Sequence, residues 1–181
     1  MCRAFGRHAE LNMLNVSLAA YENPTDARAI VALLDTYATE PAGGGESLTA
    51  AVKANLVSEM AVRPHLFSIL AWSEEGGSRR AVGLINCVEG FSTFAARPLI
   101  NVHDVVVLAS HRGQGVAQAM FECVEREARR RGACKLTLEV LSGNEPARRL
   151  YVKQGFAPYA LDPRWGEAMM WQKKLVSGAE I

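Results

Sequence analysis

The chain has 181 residues, of which 49% are hydrophobic and 22% charged, and its formal net charge is +1. This balance is typical of a folded globular protein and argues against an intrinsically disordered chain. A charge so close to zero gives no electrostatic support for a nucleic-acid partner or for an anionic membrane surface. No apolar run approaches the roughly 20 residues that span a bilayer, so the sequence predicts no membrane-spanning segment.

Residues 1–12 mix charged and polar residues and lack the apolar stretch of a secretory signal. We predict a flexible extension there, or an upstream start ahead of Met13, followed by a single domain over residues 13–181. The chain carries four cysteines, Cys2, Cys87, Cys123 and Cys134. Because no two of them form a close C-x-x-C pair, we predict neither a metal site nor a disulfide framework, and the favoured compartment is the cytoplasm. Cys87 and Cys134 fall in strand-like runs, where buried, inert thiols are expected.

The first half of the chain is predicted to contain one strand, two helices and a strand hairpin, in that order. The bounds of these five segments are Leu14–Ala20, Thr25–Tyr37, Ser47–Val62, Leu66–Trp72 and Arg80–Val88. The segment Glu74–Ser78 separates the last two strands and contains two glycines. This favours an antiparallel hairpin whose loop is somewhat longer than the tightest turns.

The second half is predicted to hold a loop and then alternating strands and helices. In chain order these are Phe91–Pro98, Leu99–Leu108, Gly115–Arg131, Lys135–Val140, Asn144–Gln154 and Glu167–Leu175. The longest helix has an apolar inner face formed by Val116, Met120, Cys123 and Val124. Its arginines are expected to form a solvated face, at Arg126, Arg129, Arg130 and Arg131. The succession predicts one α/β domain, a mixed central sheet with helices on both faces and a right-handed crossover at its centre.

The segment Val105–Ala117 combines features that suit an anion. A hydrophobic strand runs directly into a turn with Gly113 and Gly115, and this turn opens a helix. A helix N-terminus has unpaired N–H groups and a partial positive charge, and glycine lets the backbone approach a pyrophosphate closely. The dinucleotide fingerprint G-x-G-x-x-G fails because Gln118 stands at the third glycine, and no Gly-Lys-Ser/Thr follows as a Walker A loop requires.

What remains is an Arg-x-x-Gly-x-Ala pattern that begins at Arg112, followed downstream by Asn144, Tyr151 and Gly155-Phe156. In this order and spacing the sequence resembles the GNAT superfamily of N-acetyltransferases. The resemblance implies the GNAT fold and acetyl-CoA as the acetyl-donor cosubstrate. A narrower resemblance, to the bacterial Hpa2-like polyamine-acetyltransferase branch, is carried by the segments Gly90–Phe94, Arg97-Pro98 and Val102–Asp104.

The family reaction is direct attack of an amine on the acetyl thioester. By resemblance, acetyl-CoA would be bound by Val105, Val106, Val107, Arg112, Gly113, Gln114, Gly115, Val116, Ala117, Gln118 and Asn144. The backbone N–H groups of Val105–Val107 would stabilise the oxyanion if the strand bulges there. Tyr151 would protonate the leaving thiolate. Asn144 also suits a helix N-cap, and this role is compatible with the first.

The general base is left open between His103, Asp104 and a water relay. An alkylammonium has a pKa near 10.4, so presenting it as a neutral amine at pH 7 costs roughly 4.6 kcal/mol. His103 has the better intrinsic pKa for a base. Adjacent strand residues point to opposite faces, so the two cannot line one pocket unless the strand is distorted. The polyamine branch usually has two acidic residues here, and the histidine puts a polyamine substrate in doubt.

Four further residues are candidates for binding the acceptor. Glu40 and Glu46 lie in the loop between the first two helices, where the family places its acceptor site, and could attract a cationic amine. Phe91 and Phe94 could wall the acceptor pocket or simply pack the loop. The sequence therefore predicts an acetyltransferase acting on a primary amine of a small molecule. A protein or peptide N-acetyltransferase and a non-catalytic CoA-binding module are the alternatives, and the resemblance implies a homodimer.

Overall fold

A computed structural model describes residues 13–75, 77–159, 162, 164, 169–173 and 175. The predicted extension over residues 1–12 lies outside this range. The strands are β1 Met13–Leu18, β2 Leu66–Glu75, β3 Ser78–Ser92, β4 Arg97–Val107 and β5 Leu136–Leu138, and the α-helices are α1 Pro24–Ala38, α2 Ala50–Ala61, α3 Val116–Arg130 and α4 Glu145–Lys153. These residues fall into two compact units, the first ending at Glu139 and the second beginning at Val140.

The five strands form one sheet in the order β1-β2-β3-β4-β5. The first four strands pair antiparallel, and β5 pairs parallel to β4. Helix α3 supplies the crossover between β4 and β5, as parallel neighbours require. The predicted mixed sheet is therefore confirmed.

Helices cover both faces of the sheet. Helices α1 and α2 pack on one face, where their apolar residues share a core with Leu70, Leu84 and Val106 of the central strands. Gly83 directly precedes Leu84 in β3 and faces the opposite side of the sheet, because successive strand residues point to opposite sides. An atom added at its Cβ position would lie 3.1 Å from Val116 and 2.8 Å from Met120. Helix α3 therefore packs on the second face, as predicted.

The helices begin and end at local signals in the sequence. The side chain of Asn23 accepts a hydrogen bond from the Thr25 backbone N–H at 2.8 Å and caps α1. Thr49 caps α2 in the same way. The four inner-face residues predicted for α3 are all buried, and the helix ends before Gly132, as expected. Among the described residues, no helix is long and apolar enough to cross a membrane.

The strands of the two hairpins are longer than the sequence predicts. β2 continues to Glu75 and pairs there with Ser78, so only two residues connect it to β3, and the prediction of a longer loop is wrong. β3 continues to Ser92, and Phe91 pairs with Pro98 of β4. The predicted loop Phe91–Pro98 is therefore strand at both ends. Continued pairing satisfies the backbone N–H and C=O groups of these polar segments.

The C-terminal predictions need correction too. β5 is shorter than the predicted Lys135–Val140 and leaves Cys134 outside the strand, half-buried. The predicted strand Glu167–Leu175 falls in part outside the described residues, and its described residues, 169–173 and 175, are not in a strand. Cys87, by contrast, is buried within β3, and burial raises the pKa of its thiol.

The expectation that all α3 arginines face water is wrong at Arg131. Its side chain is only 18% exposed and donates to Glu127 at 2.6 Å and to Glu89 at 2.8 Å. Its guanidinium also lies 4.4 Å from the ring centroid of Phe67. Glu127 is itself buried and accepts a hydrogen bond from a second arginine, Arg130, at 2.6 Å. The cluster therefore ties the end of α3 to the sheet.

Candidate active site

The turn between β4 and α3 has the backbone geometry of an anion site. Gly113 and Gly115 adopt left-handed φ angles of +75° and +82°, and α3 begins directly afterwards at Val116. The N-cap residue of α3, Gly115, makes no side-chain cap hydrogen bond. Apart from the chain neighbours of each glycine, no described heavy atom lies within 4 Å of a Cβ placed at Gly113 or Gly115. The turn is therefore open, and it has the glycines and the helix N-terminus that are typical of an anion site.

The side chains of this turn divide into two groups. Val106 and Val116 are buried, so their side chains are not available to a cofactor. Gln114 donates to the Ser110 carbonyl at 2.9 Å, and Gln118 donates to Glu122 at 3.2 Å. Both amide side chains are thus held by their own turn or helix. The contribution expected of this segment to cofactor binding is therefore mainly from its backbone N–H groups.

β4 contains a one-residue bulge, and it lies at His103. Asn86 of β3 pairs with Asp104, whereas the next residue, Cys87, pairs with Val102, so His103 is the extra residue. His103 is exposed, and Asp104 is half-buried. The distortion that both residues would need to share a pocket is therefore present, because a bulge re-aims side chains along its strand.

The family-implied bulge at Val105–Val107 is not found. These three residues pair in regular register with Gly83–Ile85. β5 pairs with β4 only at residues 100–102, so beyond this point no described strand covers the outer edge of β4. N–H groups on that edge remain candidates for the oxyanion, for a different reason than the sequence indicated: the strand is not bulged, but no described strand pairs with its edge there.

The carboxylate of Asp104 is held by a partly buried hydrogen-bond chain. Asn86 Nδ2 donates to Asp104 Oδ2 at 2.9 Å, and Ser68 Oγ donates to Asn86 Oδ1 at 2.7 Å. Ser68 Oγ also lies 3.0 Å from the Tyr21 hydroxyl. Because the serine has already given its only proton to Asn86, Tyr21 must be the donor in this last bond. Burial raises the pKa of Tyr21, which keeps that proton in place.

Asp104 and Glu40 lie around the C-terminal end of α1. Burial raises the pKa of Tyr37 there, and the negative charges of Asp104 and Glu40 raise it further. Glu40 forms an ion pair with Arg112, whose Nε also donates to the Val107 carbonyl at 2.9 Å. The structure thus brings together three candidates that the sequence assigned to the base, the acceptor and the cofactor.

The other acceptor candidates lie elsewhere. Glu46 is exposed in the α1–α2 loop. Phe91 is 62% exposed, and Phe94 is fully exposed in the β3–β4 turn. The alternative that they pack the loop is therefore wrong. The pairing partner of Phe91, Pro98, is six residues from Asp104 along β4, or roughly 20 Å, so neither phenylalanine lines the Asp104 site.

Asn144 and Tyr151 belong to the second unit. Asn144 Oδ1 accepts from the Ala147 backbone N–H at 3.3 Å, which confirms the predicted cap of α4. Tyr151 is half-buried on α4, and its ring meets that of Phe156 edge-on at a centroid distance of 6.0 Å. The predicted roles of these residues toward CoA stay predictions.

Sequence reasoning missed the residues that hold Asp104. Ser68 and Asn86 are polar residues within apolar runs of β2 and β3, and the pairing places Ser68 beside Asn86 and Asn86 beside Asp104. Their signal was the break in the apolar pattern at inward-facing positions.

Among the described residues, no group of three or more histidine, cysteine or acidic side chains could hold a metal ion.

Comparison with known sequences identifies the family. Residues 28–156 match the model of the acetyltransferase (GNAT) family. A streptothricin acetyltransferase of Streptomyces lavendulae is 35% identical over 97 residues, which are 51% of each chain. A streptothricin acetyltransferase of Escherichia coli is 34% identical over 79 residues, or 44% of each. The match thus spans about half the length, or less, of these curated relatives.

The fold agrees with this match. The crystal structure of an aminoglycoside N-acetyltransferase in complex with CoA has a TM-score of 0.67 to this chain. The two are 16% identical, and the superposition covers 91% of this chain and 97% of the other. The likeness to that structure concerns the fold alone, whereas the family model matches the sequence itself. The chain belongs to the acetyltransferase (GNAT) family.

Proposed function

We propose that the protein transfers the acetyl group of acetyl-CoA to a primary amine of a small molecule by direct attack. One observation carries the proposal beyond family membership. A single strand–turn–helix unit holds the open turn at Gly113 and Gly115 and, on the strand that leads into it, the fixed carboxylate of Asp104. Such a unit can hold the donor by its phosphates and the acceptor by its charge.

Acetyl-CoA supplies the activated acetyl thioester. Its pyrophosphate would be held by the backbone N–H groups of residues 113–118 and by the guanidinium of Arg112. The N–H groups on the uncovered edge of β4, at Val105–Val107, would stabilise the oxyanion. Asn144 would bind the pantetheine arm, and Tyr151 would protonate the leaving thiolate, as the family resemblance implies.

The acceptor in this proposal carries positive charge. Asp104 and Glu40 place negative charge around Tyr37, at the end of α1. A helix C-terminus adds a partial negative charge of its own. Since both sequence relatives are named streptothricin acetyltransferases, streptothricin-type antibiotics are the acceptors to test first, followed by aminoglycosides and polyamines.

We assign the general base to Asp104, acting directly or through a water molecule. His103 is exposed at the bulge, whereas Asp104 is half-buried and oriented by Asn86. An ammonium bound at Asp104 must lose a proton before it attacks, which costs roughly 4.6 kcal/mol at pH 7 if no base assists. A positioned carboxylate lowers this barrier by accepting that proton, directly or through water, and the neutral amine then attacks the thioester carbon.

We further propose that the enzyme is a cytoplasmic homodimer. The free thiols of Cys87, Cys123 and Cys134 are in keeping with a reducing compartment. The dimer rests on the family resemblance. Light scattering on the purified protein measures its mass directly, and a monomer would contradict the proposal.

Thiol release from acetyl-CoA tests the proposed reaction. The purified chain would be given streptothricin, aminoglycosides, polyamines, amino acids and short peptides in turn. Thiol release that depends on a small amine supports the proposal and identifies the acceptor class. Release only with peptides would favour a peptide N-acetyltransferase instead. Tight acetyl-CoA binding with no amine-dependent release would favour a CoA-binding module without turnover.

A further inference from the structure

On the sheet face that α1 and α2 cover, two neighbouring rows of laterally paired residues differ in polarity, and each such row is called a rung. One rung, across β2, β3 and β4, is apolar and consists of Leu70, Leu84 and Val106. The next rung is polar and consists of Ser68, Asn86 and Asp104. Ser68 is fully buried and Asn86 is 7% exposed. Three polar side chains thus occupy a row where the adjacent row is packed with leucine and valine.

The polar rung has a defined hydrogen-bond direction. Ser68 gives its proton to the Asn86 carbonyl, so the Asn86 amide nitrogen can only face Asp104. If the amide flipped, its carbonyl oxygen would face the carboxylate, and two acceptors would meet with no proton between them. Tyr21 donates to Ser68 and fixes the serine proton in turn.

We propose that Asn86 is a positioning residue that fixes the Asp104 carboxylate for the acceptor amine, with Ser68 and Tyr21 locking the Asn86 amide in its donating orientation. This inference rests on the proposed function of Asp104. One of the two carboxylate oxygens is occupied by the Asn86 N–H, at 2.9 Å, so the other is left for the amine or its water. Asn86 touches neither substrate in this arrangement and acts through Asp104.

The hydrogen-bond chain from Tyr21 to Asp104 does not conduct protons. A side-chain amide cannot accept a proton on its oxygen and release another from its nitrogen without forming an unstable tautomer. The protons from Tyr21 to Asp104 all point in one direction, which strengthens each bond and orients the carboxylate. The network therefore holds Asp104 in place as the acceptor of the amine proton and does not itself carry that proton away.

A core role alone does not account for the arrangement. Apolar residues of similar volume would fill the rung and avoid the cost of burying polar groups. If Asn86 served only to satisfy the hydrogen bonds of its neighbours, an exchange of the amide and the acid that preserved the Asn86–Asp104 hydrogen bond would also preserve activity. If Asn86 positions a carboxylate on β4, the same exchange would preserve the fold but lose the activity.

The test exchanges the amide and the acid. In Asn86→Asp, two carboxylates face each other, so the productive orientation of Asp104 is lost. We expect kcat to fall about 10- to 100-fold, the range that corresponds to a hydrogen bond to a charged group. The Kd for acetyl-CoA should stay unchanged, because Asn86 is not part of the phosphate turn. The matched control is Asn15→Asp, the same change at an exposed position of β1, which should leave kcat unchanged.

The double variant Asn86→Asp with Asp104→Asn separates the two roles. It restores one amide and one acid, so the hydrogen bond re-forms with the carboxylate moved to β3. We expect Tm to recover toward the wild-type value while kcat stays as low as in Asp104→Asn alone. Recovery of kcat together with Tm would overturn the inference, since the position of the carboxylate would then be irrelevant.

The side-chain amide signals of Asn86 give a readout that does not depend on activity. In a ¹⁵N–¹H spectrum, the N–H that donates to Asp104 should resonate downfield, and it should move upfield in Asp104→Asn. Signals that do not respond to this substitution would refute the contact and the inference with it. Unchanged kcat in Asn86→Asp, in an active wild type, would refute the inference alone. A wild type without amine-dependent thiol release would refute the proposed function and the catalytic role of Asn86 together.

Discussion

The guanidinium of Arg112 forms an ion pair with the carboxylate of Glu40, although the two residues are 72 positions apart in the chain. Arg112 stands at the turn that suits the pyrophosphate of acetyl-CoA, and Glu40 follows α1, where an acceptor amine is expected. Each residue is therefore engaged by the other and cannot give its full charge to a ligand. If the two substrates bind as proposed, binding of one at this pair would change the charge that the other meets.

We predict that Glu40→Gln tightens acetyl-CoA binding and weakens binding of a cationic amine. The substitution releases Arg112 for the pyrophosphate. Because the pair is partly exposed, the gain is limited to about 1 kcal/mol, or roughly fivefold in Kd. Calorimetric titration measures it, with Glu46→Gln in the same loop as the matched control. Equal acetyl-CoA affinities in Glu40→Gln and wild type would show that the pair does not compete with the cofactor.

Asp104 and His103 are the two candidate bases, and the assignment to Asp104 predicts different changes in kcat/KM when each is replaced. Asp104→Asn should lower kcat/KM by roughly 10²–10⁴-fold, the usual contribution of general acid–base catalysis. His103→Gln should leave it almost unchanged, because His103 is exposed at the bulge. Initial rates with the best acceptor amine decide the matter. A large loss in His103→Gln with an active Asp104→Asn would reverse the assignment.

Gly115→Ala should destabilise the protein and also weaken acetyl-CoA binding. The residue has φ +82° at the N-terminus of α3, a conformation that costs an L-residue roughly 1–2 kcal/mol. Gly132→Ala is the matched control, since Gly132 has φ +72° at the other end of α3. Urea unfolding should give similar losses for both variants, whereas only Gly115→Ala should raise the Kd for acetyl-CoA. A similar rise in Gly132→Ala would mean that strain anywhere in α3 disturbs the turn.

Gly83 lets α3 approach β3 closely. A Cβ there would lie 2.8 Å from Met120 Cε, so that the methionine would have to shift, and 3.1 Å from Val116 Cγ1, which is tighter than most side-chain contacts. Gly83→Ala should therefore cost roughly 1–3 kcal/mol of unfolding free energy, and adding Met120→Val should recover part of it. Gly90→Ala on the same strand, 3.3 Å from a Leu99 methyl group, should cost much less. A Gly83→Ala variant as stable as wild type would show that α3 can move away.

Glu127 should make the stability of the protein depend on pH in the acid range. Hydrogen bonds from Arg130 lower the pKa of its carboxyl, with Arg131 adding to the effect. A lowered native pKa means that the stabilisation is complete above the unfolded value near 4.3 and is lost as pH falls through the native value. Glu127→Gln should lose roughly 1–3 kcal/mol at pH 7 and less at lower pH. Urea unfolding at pH 7 and below pH 4 measures both, and parallel losses at the two pH values would contradict the assignment.

Much of the fold could be predicted because its signals are local. The cap at Asn23, the glycine that precedes α3 and the cap at Asn144 act within a few residues of their own position. Hydrophobic spacing gave the inner face of α3 correctly. Strand ends were predicted less well, as at Phe91, because the length of a strand depends on whether its partner continues beside it.

The sequence by itself determined the strand–turn–helix unit that suits the cofactor, since glycine conformations and the helix N-terminus are properties of neighbouring residues. The tertiary structure alone decided how the acceptor side is arranged. The bulge at His103 exists only in the pairing of β4 with β3. The contacts of Asp104 with Asn86, and of Arg112 with Glu40, join residues 18 and 72 positions apart. No local pattern encodes such partners, because they are selected by strand register and helix packing across the whole sheet.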